Sequence, residues 1–352
     1  MENLTSVDWT KIWYNSITII SIMLVLRLLL SRASIKVANG FLIFLAAIIM
    51  LYVVNEPSWE YSDKWNYQVS FENILDASIE RKDGDSGFYI FTKGIRLLTD
   101  WYILYFLLIG GIYFYGYLKF INHFFSKEYR FIVFFTTISA LGFYAYATNT
   151  IRQGLALAIF LLAIVYMNNK VKSIVFSIIA VLFHKSLIIP VAVFWIVKRY
   201  NLNNNFIYFW LLCLVVTILL GSSLGVLLGD FLVSSDNRMD GYLNDENESY
   251  QAGFKLNFLI YSIAPIIYGM KMKVKINDEF YNQILSLYII VNAVWLLMIR
   301  IAFTDRFAYL SWFLIPFIFL YPLSKQQLFK NQNHIIALIL FYLTMVTYLI
   351  AS

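Results

Sequence analysis

Runs of roughly twenty apolar residues recur from one end of the chain to the other, and about 20 such residues are what a helix needs to cross a hydrocarbon core. They fall near 12–30, 38–54, 101–121, 130–147, 152–168, 206–230, 255–270, 280–301, 307–323 and 334–351. Of 352 residues, 61% are hydrophobic and 14% charged, against about 45–50% apolar and about 25% charged in soluble domains. So much apolar surface cannot be hidden in water behind so few charges. A soluble enzyme, a nucleic-acid binder and a disordered tail are therefore excluded together. The sequence predicts an all-α, polytopic integral membrane protein with about 11–12 membrane segments, residues 1–352 forming a single transmembrane domain. No basic n-region or small-residue cleavage site precedes the first span, which reads as a retained helix. The segment 173–197 is ambiguous: it is apolar except for His184-Lys185-Ser186, and Pro190 follows. It reads as one long helix or as two short ones meeting at His184.

Charge decides between those options. Arg27, Arg32 and Lys36, Lys119, Lys127 and Arg130, Lys170 and Lys172, and Lys198 and Arg199 fall in turns that alternate to one side. So do Lys271, Lys273 and Lys275, and Lys325 and Lys330, and only Glu128, Asp278 and Glu279 are acidic there. By the positive-inside rule this side is cytoplasmic, and both termini lie outside. The alternation works only if 173–197 enters and returns as a pair of short or re-entrant helices, with His184 at an outward-facing bend. Two long extracytoplasmic loops result, about 55–100 and 231–254, both acid-rich, with turn formers such as Glu56-Pro57-Ser58 and Asp83-Gly84-Asp85. Within the first, Phe88, Phe91, Ile95 and Leu98 recur at helical spacing, a stripe expected to rest on the outer leaflet.

Cys213 is the only cysteine and sits in an apolar run, so no disulfide framework or thiolate metal site is expected. Three dispersed histidines, His123, His184 and His334, make no metal site. Cations inside or beside spans are another matter, because a charge at a helix centre costs about 2.5–3.5 kcal/mol on insertion scales. Arg152, His184-Lys185, Arg300 and Arg306 all fall near the outer ends of their spans. Any one of them can snorkel to lipid headgroups, and Arg306 can pair with Asp305. Their joint placement on the acidic side, where the positive-inside rule predicts none, describes a pocket for an anion.

At these residues the chain resembles the EpsG family of polysaccharide polymerases, related in role to Wzy-type O-antigen and capsule polymerases. The matching stretches are Asp63-Lys64-Trp65-Asn66-Tyr67, Asp85-Ser86-Gly87-Phe88, Ile151-Arg152-Gln153-Gly154-Leu155-Ala156, Phe183-His184-Lys185-Ser186-Leu187-Ile188 and Arg306-Phe307-Ala308-Tyr309. Each is short, and their order and spacing carry the likeness. Where such proteins commonly have Glu, this chain has Asp85. The resemblance implies a membrane glycosyltransferase that joins oligosaccharide repeat units held on undecaprenyl diphosphate, on the outer face of the bacterial cytoplasmic (inner) membrane. Its partners would be the lipid-linked glycan donor and acceptor, membrane lipids, a chain-length regulator and a flippase, with no nucleic acid.

The residues fit that chemistry. A leaving diphosphate needs charge stabilisation more than protonation, and guanidinium offers a planar, permanently charged fork. Arg152 and Arg306 are the leading diphosphate contacts, with Arg300, Lys185 and Arg238 behind them. The acceptor hydroxyl must lose a proton, and a histidine is matched to neutral pH. His184 is the leading base, with Asp63 and Asp85 as competing catalytic carboxylates. Tyr67, Gln153 and Tyr309 are the expected sugar contacts. The scheme calls for no cofactor and no metal. Two other functions remain open at this point: a lipid-linked-oligosaccharide flippase or other transporter, and a membrane acyltransferase using His184. No internal repeat and no mid-span acid support transport.

Overall fold

The computed structural model describes residues 5–30, 37–57, 63–76, 85–200, 206–221, 253–301 and 304–351. Among them all regular secondary structure is helical, and the protein is an all-α polytopic membrane protein. Arg238, nearly all of the predicted 231–254 loop, Arg32 and Lys36 lie outside the described residues. Among the described residues, four helices are long and apolar enough to cross a bilayer: Ser6–Leu30 (α1), Tyr102–Phe124 (α5), the stretch Thr304–Lys325, and Gln332–Ala351 (α16).

The chain forms two compact units, one of residues 1–187 and 320–352, the other of residues 188–319. In the first unit α1 packs along α16, and Asn39–Val54 (α2) packs on α5. Two short helices follow α2, Asp63–Asn73 (α3) and Ser86–Arg96 (α4). At the centre is Ile151–Val165 (α8), apolar on every face and buried at every residue but Arg152. A helix apolar all round belongs in a core, and α8 is enclosed by α5, by Phe143–Thr148 (α7) and by Lys170–Phe183 (α9). Gly116 of α5 lets the helices touch, since a Cβ there would collide with the Ala158 backbone carbonyl.

The single span predicted at 130–147 is broken. Arg130–Ile138 (α6) ends at Ser139, and α7 begins after Gly142, whose φ of +94° suits glycine alone without strain. Backbone freed inside a membrane protein must find partners. Here the Ser139 N–H closes on the Phe135 carbonyl at 3.1 Å and the Ala140 N–H on the Thr137 carbonyl at 3.2 Å.

The ambiguous stretch 173–197 is two helices. The first, α9, stops at His184, whose extended backbone (φ −155°, ψ 116°) cannot continue it. A 3₁₀ turn over Lys185–Leu187 follows, then Ile188–Tyr200 (α10). This is the break the sequence placed at His184.

The second unit holds α10, Ile207–Leu220 (α11), Leu256–Ile276 (α12), Glu279–Leu296 (α13) and Thr304–Trp312 (α14). Its core is tied by a buried polar network. Asn292 accepts from Trp210 Nε1 at 2.8 Å and donates to the hydroxyls of Ser262 and Ser311 at 3.2 and 3.0 Å. Trp312 Nε1 donates to the same Ser262 oxygen at 2.8 Å. Such links between helices contribute about 0.6 kcal/mol each in membranes. After Trp312 the chain turns and resumes as Ile315–Lys325 (α15). Pro316 explains the interruption: it has no N–H to give the Trp312 carbonyl, and its ring crowds that oxygen.

Candidate functional site

Arg152 stands in the first turn of α8, where no side chain caps the first backbone N–H groups and the helix dipole favours an anion. Thr150 starts the helix with a non-helical backbone, and Gly154 lets this turn press on Tyr146, whose carbonyl a Cβ would meet. The Arg152 side chain is 23% exposed. Its Nε donates to the Tyr67 hydroxyl at 3.2 Å, and its Nη1 to Asp85 Oδ2 at 3.3 Å. The guanidinium also lies 5.5 Å from the Tyr67 ring centroid. Asp63, at the start of α3, adds a second negative charge to its field.

Asp85 precedes α4 and is buried. While Oδ2 meets Arg152, Oδ1 accepts the backbone N–H of Lys185 at 2.9 Å. One carboxylate therefore joins the start of α8 to the break after α9. Gly87 makes this approach feasible, because a Cβ there would lie 2.8–2.9 Å from the Cβ and backbone carbonyl of Leu182. The aromatic stripe of α4 completes the seam. Phe88 lies 5.7 Å from Tyr67 and 6.3 Å from Phe183, and Phe91 5.5 Å from Phe183. The expected lipid-facing role of this stripe is thus corrected: Phe88 and Ile95 are buried in protein, while Ile90, Leu97 and Leu98 are exposed. Periodicity finds an apolar face but does not say whether lipid or protein covers it.

His184 ends α9 immediately before Lys185. Its Nδ1 lies 2.7 Å from the Ser186 hydroxyl and 3.3 Å from the Ser186 backbone nitrogen. Lys185 gives the site its backbone N–H, while its side chain is exposed. Gln153 is buried in α8. The first unit thus brings together Arg152, Tyr67, Asp85 and the Lys185 backbone, with Asp63 within electrostatic reach and His184 next in the chain.

Arg300, Arg306 and Tyr309 belong to the second unit. The Arg300 guanidinium lies 5.3 Å from the Phe254 ring centroid, and its Nε is buried without a hydrogen-bond partner. Arg306 and Tyr309 flank Asp305 on α14, Arg306 by charge and Tyr309 by a hydrogen bond.

Sequence reasoning missed a second charged pair in the first unit. Glu56, read only as part of a turn in the outer loop, is buried, with 9% exposure, and its Oε2 has no hydrogen-bond partner. Lys64, one residue into α3, is buried too. Its Nζ donates to the carbonyls of Val53, Val54 and Glu56 at 2.9, 3.1 and 2.7 Å. Burial pushes the Glu56 carboxyl well above its ordinary range, partly offset by the Lys64 charge, and pushes the Lys64 ammonium below its own. The available signal was Lys64 itself, a lysine within the acid-rich outer loop and directly beside Asp63.

Neither a curated protein nor a solved structure matches the chain. A family model does, over residues 41–352, which takes in each of the elements that build the Arg152 cluster and Arg300 and Arg306 of the second unit. The chain belongs to the EpsG family, membrane proteins of the polysaccharide-polymerase type.

Proposed function

We propose that this protein is a glycosyltransferase that lengthens glycans carried on undecaprenyl diphosphate, at the outer face of a bacterial cytoplasmic membrane. The observation that carries the reading is the Arg152 guanidinium, partly buried at the N-terminus of a core helix with hydrogen-bonding and charged partners from two other segments. In this reading the donor's diphosphate displaces Asp85 from Arg152 and is met by both the guanidinium fork and the first N–H groups of α8. Charge held ready where the leaving group develops lowers the barrier without reorganisation. Asp85 is the resident anion that keeps the fork extended. Once displaced, it stays at the seam through the Lys185 backbone N–H.

His184 takes the acceptor hydroxyl's proton. The Ser186 backbone N–H donates to Nδ1 at 3.3 Å and the Ser186 hydroxyl lies 2.7 Å from the same nitrogen, which together hold the ring in place. The acceptor oxygen then bonds to the donor's anomeric carbon as that carbon's bond to the diphosphate oxygen breaks. The electron pair leaves with the lipid diphosphate. Tyr67 and Gln153 are sugar contacts in the first unit and Tyr309 in the second. Arg300 and Arg306 are anion contacts for the same class of lipid-linked substrate. Polymer type, whether O-antigen or capsule, follows from the repeat unit supplied.

Proteoliposomes holding the full chain and an undecaprenyl-diphosphate-linked repeat unit test this. Lengthened, lipid-linked glycans support it. Movement of the lipid across the bilayer without bond formation supports a flippase instead, a reading favoured by the helix breaks at His184 and Ser139.

A further inference from the structure

The site just described depends on where α3 sits, because α3 supplies both Tyr67 and Asp63. Its first turn is held in an unusual way. An ammonium has three N–H donors, and Lys64 places one on each of three carbonyls at or just past the C-terminus of α2. Those oxygens form the negative end of the α2 dipole. The ammonium also lies 5.3 Å from the Phe106 ring centroid on α5. Burying a charge this deeply is unfavourable unless it is compensated, and Glu56 supplies the compensating carboxylate. At the other end of α3, Phe71 stacks on Tyr105 at 4.6 Å. Lys64 and Tyr67 are separated by three residues, so they share a face of α3 about 4.5 Å apart along its axis. The latch therefore lies under one turn of helix from the hydroxyl that accepts from Arg152.

We propose that Lys64, latched onto the carbonyls that end α2 and balanced by Glu56, is the positioning residue of the Arg152 site: it fixes α3 so that Tyr67 and Asp63 meet the guanidinium. It touches no substrate and acts through Tyr67. The proposal rests on the functional reading above for its ligand, but not for its structural claim.

The test uses the full chain in lipid nanodiscs and two measurements: amide hydrogen exchange across α3, and affinity for undecaprenyl diphosphate by titration. Lys64→Met should raise exchange across 65–73 at least about tenfold and weaken affinity about tenfold. Lys64→Arg, which restores several donors, should recover most of both. Tyr67→Phe should weaken affinity severalfold in the parent chain and add little in the Lys64→Met background, as expected of residues that act in series. Where Lys64→Met does not insert, Lys64→Gln, with two amide donors, should give intermediate exchange and affinity. Exchange and affinity within twofold of the parent in Lys64→Met or Lys64→Gln, or fully additive losses with Tyr67→Phe, would overturn the proposal. If the parent chain does not bind undecaprenyl diphosphate, the ligand assignment fails, and unchanged α3 exchange in Lys64→Met is then the result that sinks the latch.

Discussion

Both carboxylate oxygens of Asp85 are committed, one to Arg152 and one to the Lys185 backbone, and this separates two roles that composition could not. Asp85→Asn retains an acceptor for Lys185 and loses the ion pair. We expect it to lower stability by about 1–3 kcal/mol while glycan lengthening persists within about tenfold. A loss of 10²-fold or more, the size of a general-base contribution, would make Asp85 the proton acceptor. His184→Ala should abolish lengthening with the protein still inserted, and Ser186→Ala should give a partial loss as the ring loses one of its two Ser186 contacts; unchanged polymer from His184→Ala removes the histidine from the scheme. Glu56 carries a pH signature. Burial raises its folded-state value, so the folded chain holds that proton more tightly than the unfolded one. The resulting stability is complete at pH below the ordinary carboxylate value of 4.5 and is lost as pH rises from there towards neutrality. Thermal midpoints of the parent relative to Glu56→Gln should therefore fall across that window, and a constant difference would contradict the assignment. At this scale the sequence showed the cations, since charge among apolar residues is conspicuous. It did not show Glu56 with Lys64, because a Glu-Pro turn in an acidic loop looks solvated whether or not another helix closes over it.

Helices α4 and α9 meet through a residue with no side chain. A Cβ on Gly87 would encounter Leu182 backbone as well as its side chain, and backbone cannot turn aside. Gly87→Ala should therefore push α4 away from α9, cost about 1–3 kcal/mol as overpacking does, and weaken lengthening because Asp85 moves with α4. Normal melting and full activity would show that the contact is slack. Breaks in helices were legible unevenly. The one at His184 was announced by polar residues inside an apolar run, whereas the one before α15 interrupts the single span read at 307–323, with Pro316 as a signal that was passed over. The gap between α6 and α7 lay within an unbroken apolar stretch around Gly142, where a glycine that permits a turn looks like one that permits packing. The lipid-facing reading of α4 failed for a related reason: Phe88 and Ile95 define a buried face in either surrounding.

Membrane insertion of the whole chain was written in its composition, because no arrangement of so apolar a sequence is stable in water. The orientation we propose rests on the distribution of Lys and Arg among the turns, and it has its own test. With Cys213 buried, single cysteines can be read cleanly by a membrane-impermeant maleimide. A cysteine at exposed Lys185 should label in intact cells, and one at exposed Lys127 only after permeabilisation; the reverse pattern would invert the topology. What remained hidden at this scale was which cation has a built environment, since a hydrogen bond between Arg152 and Tyr67 joins residues far apart in the chain. The account turns on that guanidinium gripping a lipid diphosphate. Its most direct test is the length of glycan made from an undecaprenyl-diphosphate-linked repeat unit by the parent chain and by Arg152→Lys. A point charge in place of the fork should cut lengthening about 10–100-fold, with the protein folded and inserted. A parental glycan ladder from Arg152→Lys would contradict the account.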